Sequence, residues 1–531
     1  MKDIITGSEA LMRSLKAEGV TTIFGYPGGA IMPVYDALYD YTRGEKKAFD
    51  HILVRHEQAA VHAAQGFARL SGEVGVCLVT SGPGATNTLT GVADAMMDST
   101  PIVVIAGQVG VAALGTDAFQ EVDLVGVAQP ISKWSYQIRR PEDVAWAVSR
   151  AFFIARSGRP GPVVLAFLKN AQTQKTEWKP QKVDFIRSYV PYPKVDEECV
   201  RQAAELINNA SRPLALVGQG VELGGAHAEL VEFLEKGDIP AGRTMLGLSA
   251  LPSNHPLNVG MLGMHGNFAP NVKEQECDVI IAIGMRFSDR VTGRTDRYAR
   301  QAKVIHLDID KSEINKNVKC DVPVIGDCKV TLPAITQLLR KCKRKEWRDS
   351  FKPLAEREQE RVIEPAIHPS GGPLLMGEVV NAVAEATGGE AILVTDVGQN
   401  QLFSCRYFKY HRQRSIVTSG GLGTIMETQA PVKMIVLNNN FLGNVRQWQD
   451  MFFERRKSFT RMMNPVYAKV SEAYGIPYQL VVDRADLASA VRKMLDTKGP
   501  FVLECAVMEE DNVLPMTPPG ANVDEMMLEI K

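Results

Sequence analysis

Short apolar runs that alternate with helical patterns are the feature of this sequence that most restricts its fold. Between residues 21 and 106 the runs are TTIF, ILVRH, VGVCLVT and PIVVIAG, and glycine loops or helical stretches such as EQAAVHAAQGFARL separate them. Strands that are apolar along their whole length are buried on both faces, and helical crossovers make neighbouring strands parallel. The pattern therefore predicts a doubly wound α/β fold with a parallel sheet.

The same alternation recurs twice more along the chain. A second block begins with PLALVGQG at 213–220, and a third begins with AILVTDVGQNQ at 391–401. A chain of 531 residues is also too long for one hydrophobic core. We therefore expect three parallel-sheet domains, at residues 1–170, 195–341 and 373–531. Polar, proline-bearing stretches at 171–195 and 342–372 are interpreted as linkers.

The third block is shorter than the first at an equivalent place. MMDSTPIVVIAG (96–107) and IMETQAPVKMIVLNN (425–439) share a helix end, a turn with proline and an apolar strand. The separation between Glu57 and Pro101 is 44 residues, whereas that between Gly420 and Pro431 is only 11. The difference is about the size of one crossover helix with its strand and loop. The third domain is therefore predicted to lack a helix–strand unit near residue 424.

Charge and cysteine content exclude several classes of function. The formal net charge is -1, and the one basic run, KCKRK at 341–345, is interpreted as a solvated helix end rather than a nucleic-acid surface. The eight cysteines show no spacing that suits zinc, so we expect reduced thiols in a cytoplasmic protein. The amino-terminal stretch resembles a helix of the mature fold, with Thr6 and Glu9 spaced as a capping box, and no apolar run reaches membrane-spanning length. A soluble protein is expected.

Three segments of the first block are candidates for a ligand site. Glu57 follows an apolar strand and begins a helix rich in small residues, and GYPGGA (25–30) and SGPGATN (81–87) both follow strands. Glycine loops at strand ends can present backbone N–H groups to a ligand, but each could also be only a tight turn. Likewise the Glu57 carboxylate could share a proton with a ligand nitrogen, or merely complement the helix dipole.

Taken together, the motifs resemble those of one enzyme family, although no single motif is specific enough alone. From about residue 4 to 520, FGYPGGA, RHEQAAVHAAQGFAR, TSGPGATN, RPGP, GMLGMHG, RFSDRVTG, HLDID, DVGQNQ, TSGGLGT and LNNNFLGNVRQWQ occur in order. In this the chain resembles the catalytic subunit of acetohydroxyacid synthase (acetolactate synthase). The resemblance implies pyrimidine-binding, central FAD-binding and diphosphate-binding domains. It also implies a homodimer or tetramer with thiamine diphosphate between subunits, and a small regulatory subunit.

The resemblance implies synthesis of acetolactate from pyruvate, or of acetohydroxybutyrate with 2-oxobutanoate, for branched-chain amino acids. The matching catalytic positions are Glu57, Gln120, Lys169 and Trp448, of which Glu57 bonds the aminopyrimidine ring and Trp448 shapes the acceptor pocket. Lys169 lies in AFLKN, which departs from the usual VDLPKD. The remaining matches to thiamine diphosphate are Gly398, Gln399, Asn400, Gly421 and Leu422.

FAD is the second cofactor that the resemblance implies, in a structural role. The matching positions are Arg159, Gly218, Gly220, His265, Gly284, Arg286, Asp308, Ile309 and Asp327. Ser288 replaces an aspartate of the usual RFDDR, which removes one expected contact. Retention of the other positions favours the FAD-containing biosynthetic enzymes over the FAD-free catabolic ones.

The metal motif is where this chain departs most from the family. The resemblance assigns Asn439 and the Phe441 carbonyl to Mg²⁺, but the GDG half of the motif is absent from the sequence. Mg²⁺ prefers anionic oxygen ligands, and Glu427 and Asp396 are not placed as obvious substitutes. The alternative is therefore a non-catalytic or defective homologue that keeps the fold, dimerisation and FAD. A different thiamine enzyme is less favoured, because Glu57 and VRQWQ both match the synthase.

Overall fold

Parallel pairing of apolar strands organises each part of the chain that the structure describes. The structure is a computed structural model that describes residues 2–418 and 432–530. Contacts divide these residues into two units, 2–191 and the remainder from 192 onward. Every pairing between named strands is parallel except one short antiparallel pair, so the predicted parallel α/β class is confirmed.

The first unit contains a six-stranded parallel sheet in the order β3-β2-β4-β5-β7-β6 and a two-stranded antiparallel sheet of β1 and β8. The strands are β1 Ile4–Thr6, β2 Thr22–Gly25, β3 Asp50–Leu53, β4 Gly75–Val79, β5 Ile102–Gln108, β6 Trp134–Ile138, β7 Val163–Leu168 and β8 Lys175–Glu177. The helices are α1 Gly7–Ala17, α2 Met32–Tyr41, α3 Glu57–Ser71, α4 Pro83–Thr86, α5 Leu89–Met97, α6 Leu124–Ala128, α7 Val144–Arg156 and α8 Lys169–Thr173.

The central part of the second unit contains another six-stranded parallel sheet, in the order β11-β10-β9-β12-β13-β14. Its strands are β9 Pro213–Val217, β10 Ala241–Arg243, β11 Asn258–Met261, β12 Val279–Ile283, β13 Lys303–Asp308 and β14 Val322–Ile325. Its helices are α9 Glu197–Asn209, α10 Gly220–Leu223, α11 His227–Gly237, α12 Phe268–Glu274, α13 Asp289–Thr292 and α14 Cys328–Leu338. Strands β9 and β12 are buried along their whole length, as their apolar sequences predict.

The stretch 342–372, expected to be a linker, is mostly helical. It forms α15 Lys345–Asp349, α16 Lys352–Glu358, a π-helical turn over Gln359–Ile363 and α17 Glu364–Ile367. The expectation of a solvated KCKRK run was also wrong at Arg344, which is buried. Its guanidinium donates to the carbonyls of Ile207 (2.6 Å) and Ala210 (3.1 Å), at the carboxyl end of α9. A cation at this end complements the helix dipole.

The third domain contains its parallel strands in two separate sheets. The remaining strands are β15 Leu393–Thr395, β16 Ile416–Thr418, β17 Lys433–Asn438, β18 Tyr478–Val481 and β19 Phe501–Ala506. The remaining helices are α18 Met376–Thr387, α19 Gln399–Tyr407, α20 Gly443–Phe452, α21 Tyr467–Ala473 and α22 Arg484–Asp496. Strands β15 and β16 pair with each other, and β17-β19-β18 form a three-stranded sheet.

Strand β17 differs from the strand of the first unit with which the sequence compares it. Strand β5 is buried at every residue and pairs with both β4 and β7. Strand β17 is only half-buried, and within the described residues it pairs with β19 alone. The predicted loss of a helix–strand unit near residue 424 falls outside the described residues and stays a prediction.

A buried ion pair joins three segments of the second unit. Arg406 in α19 donates to Glu358 Oε1 at 2.6 Å, and the two side chains are 1% and 2% exposed. Glu358 also accepts from the Phe268 backbone N–H at 2.7 Å, and Arg406 donates to the carbonyls of His265 (3.0 Å) and Gly266 (2.7 Å). The pair therefore connects α16, α19 and the loop before α12.

Two further expectations concern thiols and membranes. All eight cysteines are free, and burial raises the pKa of Cys77 and Cys328. No helix among residues 2–418 and 432–530 is long and apolar enough to cross a membrane.

We predict that Arg406→Met lowers the local stability of the second unit by about 3–5 kcal/mol, because it leaves the Glu358 carboxylate buried without its cation. Hydrogen exchange of α12 and α19 should measure the loss. The control Arg201→Met removes an exposed ion pair with Glu198 and should change the free energy of exchange by less than about 0.5 kcal/mol. If α12 and α19 exchange at unchanged rates in Arg406→Met, the ion pair does not hold these segments together.

Candidate active site and cofactor sites

Glu57 is the first residue of α3, directly after the turn that follows β3. Its side chain is buried, and Oε2 accepts a hydrogen bond from Asn87 Nδ2 at 2.9 Å. The helix start is set by His56, whose ring accepts from the Gln58 backbone N–H. Since Asn87 belongs to SGPGATN, the structure brings the predicted carboxylate and the second glycine loop together.

The two glycine loops meet the same carboxyl edge of the first sheet. A Cβ on Gly84 would stand 2.6 Å from Thr80 Cγ2 and 3.3 Å from Glu57 Oε1, so the glycine allows the second loop to pack closely against Thr80 and the carboxylate. Thr80 Oγ1 accepts from the Ala30 backbone N–H of GYPGGA at 3.3 Å. Both loops therefore lie near Glu57, where the resemblance places the aminopyrimidine end of thiamine diphosphate.

Gln120 and Lys169 are the other catalytic candidates in the first unit. The backbone of Gln120 lies against Gly82, where a Cβ would stand 2.8 Å from Gln120 Cα, and both residues have positive φ (60° and 56°). Lys169 is exposed and begins α8 directly after β7, at the carboxyl edge that also bears SGPGATN. The structure thus places Gln120 close to the glycine loop, and Lys169 at the same sheet edge.

In the third domain, Gln399 lies at the centre of a buried amide network. Its Nε2 donates to the Asp511 carbonyl (2.8 Å) and to Gln447 Oε1 (3.3 Å), and its Oε1 accepts from Asn439 Nδ2 at 3.1 Å. A Cβ on Gly443 would stand 1.9 Å from Gln399 Oε1, so a larger residue there would displace the Gln399 amide from this network. The network joins DVGQNQ to the triple asparagine.

The amino terminus of α19 is the candidate contact for the diphosphate. Gly398 is its N-cap residue with φ of 130°, and Asn400 follows in the first turn. Free N–H groups at a helix amino terminus bind phosphate oxygens, and a glycine there permits close approach. Gly421, Leu422 and Glu427 lie outside the described residues.

The three asparagines point to different partners. Asn438 donates to Glu504 Oε1 at 2.7 Å and Asn440 donates to Glu509 Oε1 at 3.1 Å, whereas Asn439 contacts Gln399. Asn439 Oδ1, the expected metal ligand, accepts from the Phe441 backbone N–H at 3.2 Å. From the sequence, Glu427 and Asp396 were considered, and the carboxylates of Glu504 and Glu509, which bind the asparagines on either side of Asn439, were missed.

These residues do not fit a divalent cation on Asn439. In the described part of the chain, no group of three His, Cys, Asp or Glu side chains is arranged to hold a metal. Asp511 is the carboxylate next to the Gln399 network, and burial raises its pKa to about 6. Its oxygens accept from the Met376 and Asn512 backbone N–H groups. Asp396 is exposed at the end of β15, and its Oδ1 accepts from the Val397 backbone N–H.

Trp448 lines a pocket of about 520 Å³ on α20. The other lining residues are Asn444, Val445, Gln449, Phe453, Arg456 and Ser458. The indole ring meets Phe452 edge to face at 5.7 Å, and its buried Nε1 has no hydrogen-bond partner among the described residues. The lining surface is mainly apolar, which is typical of small-molecule sites.

The central-domain positions expected to hold FAD collect at one edge of the second sheet. Gly218 and Gly220 follow β9, His265 follows β11, Gly284 and Arg286 follow β12, Asp308 and Ile309 end β13, and Asp327 follows β14. The carboxyl ends of parallel strands share one edge, which is where nucleotides bind in open α/β sheets.

The glycines at this edge also have a structural role. A Cβ on Gly220 would stand 2.6 Å from Gly284 Cα, and the Gly220 N–H donates to the Gly284 carbonyl at 2.9 Å. The two loops therefore pack backbone against backbone.

One buried nitrogen at this edge has no hydrogen-bond partner among the described residues. His265 Nδ1 is buried without a partner among the described residues, and burial together with Arg406 and Arg290 lowers the pKa of His265 to about 4. Asp308 and Asp327 already accept from backbone N–H groups two residues on, at 2.8 Å each, so their orientation is set in advance. In the first unit, Arg159 Nε donates to Ser99 Oγ at 2.8 Å.

Several residues of these sites had no sequence signal that singled them out. Asn87 and Thr80 were only parts of a glycine motif, although each orients a predicted element. Gln447 and Asp511 complete the network around Gln399 from sites 48 and 112 residues away along the chain. The position of Gln447 in VRQWQ was the one available indication.

Comparison with known proteins agrees with this arrangement. Family models of thiamine pyrophosphate enzymes match three segments: the N-terminal TPP binding domain at residues 5–127, the central domain at 200–335 and the C-terminal TPP binding domain at 422–505.

Curated relatives cover nearly the whole chain. The acetolactate synthase isozyme 2 large subunit of Escherichia coli is 38% identical over 564 residues, covering 98% of this chain and 99% of that protein. The acetolactate synthase large subunit of Lactococcus lactis is 37% identical over 562 residues, with 98% and 96% covered. Acetolactate synthase 1, chloroplastic, of Nicotiana tabacum is 37% identical over 573 residues, with 98% and 85% covered. The chain belongs to the acetolactate synthase large-subunit family of thiamine diphosphate-dependent enzymes.

Proposed function

We propose that this chain decarboxylates pyruvate and condenses the product with a second 2-oxo acid, pyruvate or 2-oxobutanoate, for branched-chain amino-acid synthesis. The observation that carries the proposal is the buried Glu57 carboxylate, which accepts from Asn87 and lies against Gly84 of the second glycine loop. Bound thiamine diphosphate would supply the electron sink for loss of CO2.

The residues of the chain take distinct parts in this proposal. Glu57 exchanges a proton with the pyrimidine ring, since one of its oxygens is already oriented by Asn87. Lys169, exposed at the same sheet edge, attracts the carboxylate of a 2-oxo acid. Trp448 and its apolar pocket select the side chain of the acceptor acid. Gln120 lies against the glycine loop and orients substrate there.

We also propose FAD in a structural role, and a homodimer or tetramer as the working form. Support for FAD comes from the free His265 Nδ1 and from the gathering of its expected contacts at one sheet edge. A small regulatory subunit is proposed because the relatives from Escherichia coli and Lactococcus lactis are named large subunits. We further propose a cytoplasmic location, from the free cysteines.

A second candidate is a family member that keeps its fold and FAD but lacks a working metal–diphosphate site. The amide surroundings of Asn439 and the division of the third domain into two sheets favour it. The alignment with the Escherichia coli relative spans 564 positions, which is more than the 531 residues of this chain. That relative therefore has residues without a counterpart here.

We predict that Glu57→Gln abolishes acetolactate formation, because an amide does not exchange the proton that the carboxylate does. The loss should be at least about 100-fold in kcat, measured by acetolactate released from pyruvate. Glu73→Gln, an exposed change after the same helix, is the matched control. Undiminished acetolactate formation in Glu57→Gln would remove Glu57 from the reaction.

We predict that the purified chain binds FAD and turns yellow whatever the state of the third domain. The expected contacts in the central domain come from one continuous sheet. Arg286→Gln should weaken FAD binding about tenfold or more, since a guanidinium pairs with phosphate through two hydrogen bonds. Arg201→Gln is the control with an exposed arginine. Protein that stays colourless with excess FAD contradicts the proposed flavin site.

We predict that thiamine diphosphate with Mg²⁺ binds at least about tenfold more weakly than to an intact relative, because neutral amides anchor the metal poorly. Calorimetric titration of the FAD-loaded chain, with and without Mg²⁺, measures this. The Escherichia coli isozyme 2 large subunit serves as the reference protein. Tight binding that requires Mg²⁺ would show that the described residues are rearranged around Asn439 when the cofactor binds.

A further inference from the structure

A second cavity, of about 860 Å³, also borders α20 but uses other residues of that helix than the Trp448 pocket. Arg446, Asp450, Met451 and Phe452 line it from α20, and Arg455 and Lys457 from the segment that follows. Arg357 and Arg361 contribute from the connecting helices, and residues 526–530 form the wall from the carboxyl-terminal segment. The reaction proposed above assigns no role to this cavity.

The residues that line the cavity have a net positive charge when the ion pairs among them are left out of the count. Asp450 accepts from Arg446 at 3.0 Å, and Glu510 contacts Lys457, so these four charges cancel. Arg357, Arg361 and Arg455 have no carboxylate partner in the described ranges, and Glu529 is the opposing unpaired acid. Two positive charges therefore remain uncompensated at this place, on a chain whose formal net charge is -1.

An apolar wall faces these cations and is held in place by its own contacts. Leu528 packs in a cluster with Phe268 and Val362. Met526 Sδ accepts from Asn271 Nδ2 at 3.0 Å, and Met527 exchanges two backbone hydrogen bonds with Met516. Arg357 lies over the Phe268 ring, 5.4 Å from its centroid. A cation stacked on an aromatic ring forms a platform on which another aromatic ring can lie.

Arg446 provides the second indication of a ligand. Its side chain is 1% exposed, yet its Nε has no hydrogen-bond partner among the described residues. A buried donor without an acceptor is costly, and a bound anion would remove that cost. Arg446 Nη2 also donates to the Asp511 carbonyl, which accepts from Gln399 as well. The cavity is thus connected to the Gln399 network through one shared acceptor.

We infer that this cavity binds an aromatic organic phosphate of nucleotide size. Several guanidinium groups around one space match the multiple oxygens of a di- or triphosphate, because each group can donate two parallel hydrogen bonds. The apolar wall and the Arg357–Phe268 platform receive the aromatic part. The volume lies within the range of pockets that bury small ligands.

Calorimetric titration of ATP into the FAD-saturated chain tests the inference, with inorganic pyrophosphate and adenosine as probes of each half of the ligand. ATP should bind at least about tenfold more tightly than either probe, since both halves then contribute. Saturation with FAD keeps ATP out of the proposed flavin site. Absence of ATP binding at millimolar concentration, or equal affinity for pyrophosphate, overturns the assigned ligand class.

Substitutions that change the charge of the cavity in opposite directions test whether ATP binds there. The double variant Arg361→Gln/Arg455→Gln should weaken ATP binding about tenfold or more, and Glu529→Gln should strengthen it a few-fold, because the first removes cations and the second removes the unpaired acid. All three side chains belong to exposed residues, so folding is preserved. Arg201→Gln is the control. If the affinity for ATP is unchanged in both the double variant and Glu529→Gln, ATP binds elsewhere and the inference is overturned.

Discussion

The buried ion pair of Arg406 and Glu358 is the interaction on which the arrangement of the second unit depends. Both side chains are almost fully excluded from solvent, so the pair is stable only because additional donors and acceptors surround it. Glu358 caps the backbone at Phe268, and Arg406 binds the carbonyls of His265 and Gly266. The ion pair thereby holds helix α19, which begins at Gln399, next to the loop that contains His265. The candidate diphosphate contacts and part of the candidate flavin site are coupled through it.

Close backbone approach at strand ends is the second constraint. At Gly84 the missing Cβ lets the loop lie against Thr80 beside Glu57, and at Gly220 and Gly284 it allows two loops to pack directly on each other. The same residue type thus permits close approach in both sheets. A glycine motif alone does not identify the contacting atoms, which belong to Thr80 and Glu57 in the first case and to the loop after another strand in the second.

The third domain contains a parallel sheet that is divided in two, and the division changes the surroundings of its strands. Strand β17 keeps an apolar sequence but pairs only with β19 within the described residues, and its side chains are half-buried. At its end, Asn439 bonds with the amide of Gln399, while its neighbours bind carboxylates. Amide groups satisfy each other well in a buried site, but they offer little attraction to a divalent cation. The family assignment and the local chemistry therefore lead to different expectations about Mg²⁺ binding.

Sequence periodicity was sufficient to predict the parallel α/β class, because strands buried on both faces are apolar throughout. It also predicted that candidate site residues would lie at one sheet edge, because the carboxyl ends of parallel strands share that edge. Glu57 after β3 and Asp308 at the end of β13 are examples. The internal comparison of the first and third blocks predicts a missing helix–strand unit near residue 424, and that place lies outside the described residues. The helices within residues 342–372 were not predicted, because a polar composition gives no sign of the contacts that these residues make with segments distant in sequence.

Arg344, expected in solvent, illustrates what only the tertiary structure decided. Its guanidinium reaches carbonyls at the end of α9, more than 130 residues earlier in the chain. Arg406 with Glu358, and Gln399 with Asp511, are further pairs of this kind. Local sequence determines which segments become strands and helices, because backbone propensity and apolar periodicity act over neighbouring residues. Which buried polar groups meet is decided only when distant segments pack, since each group must then find a partner in place of water.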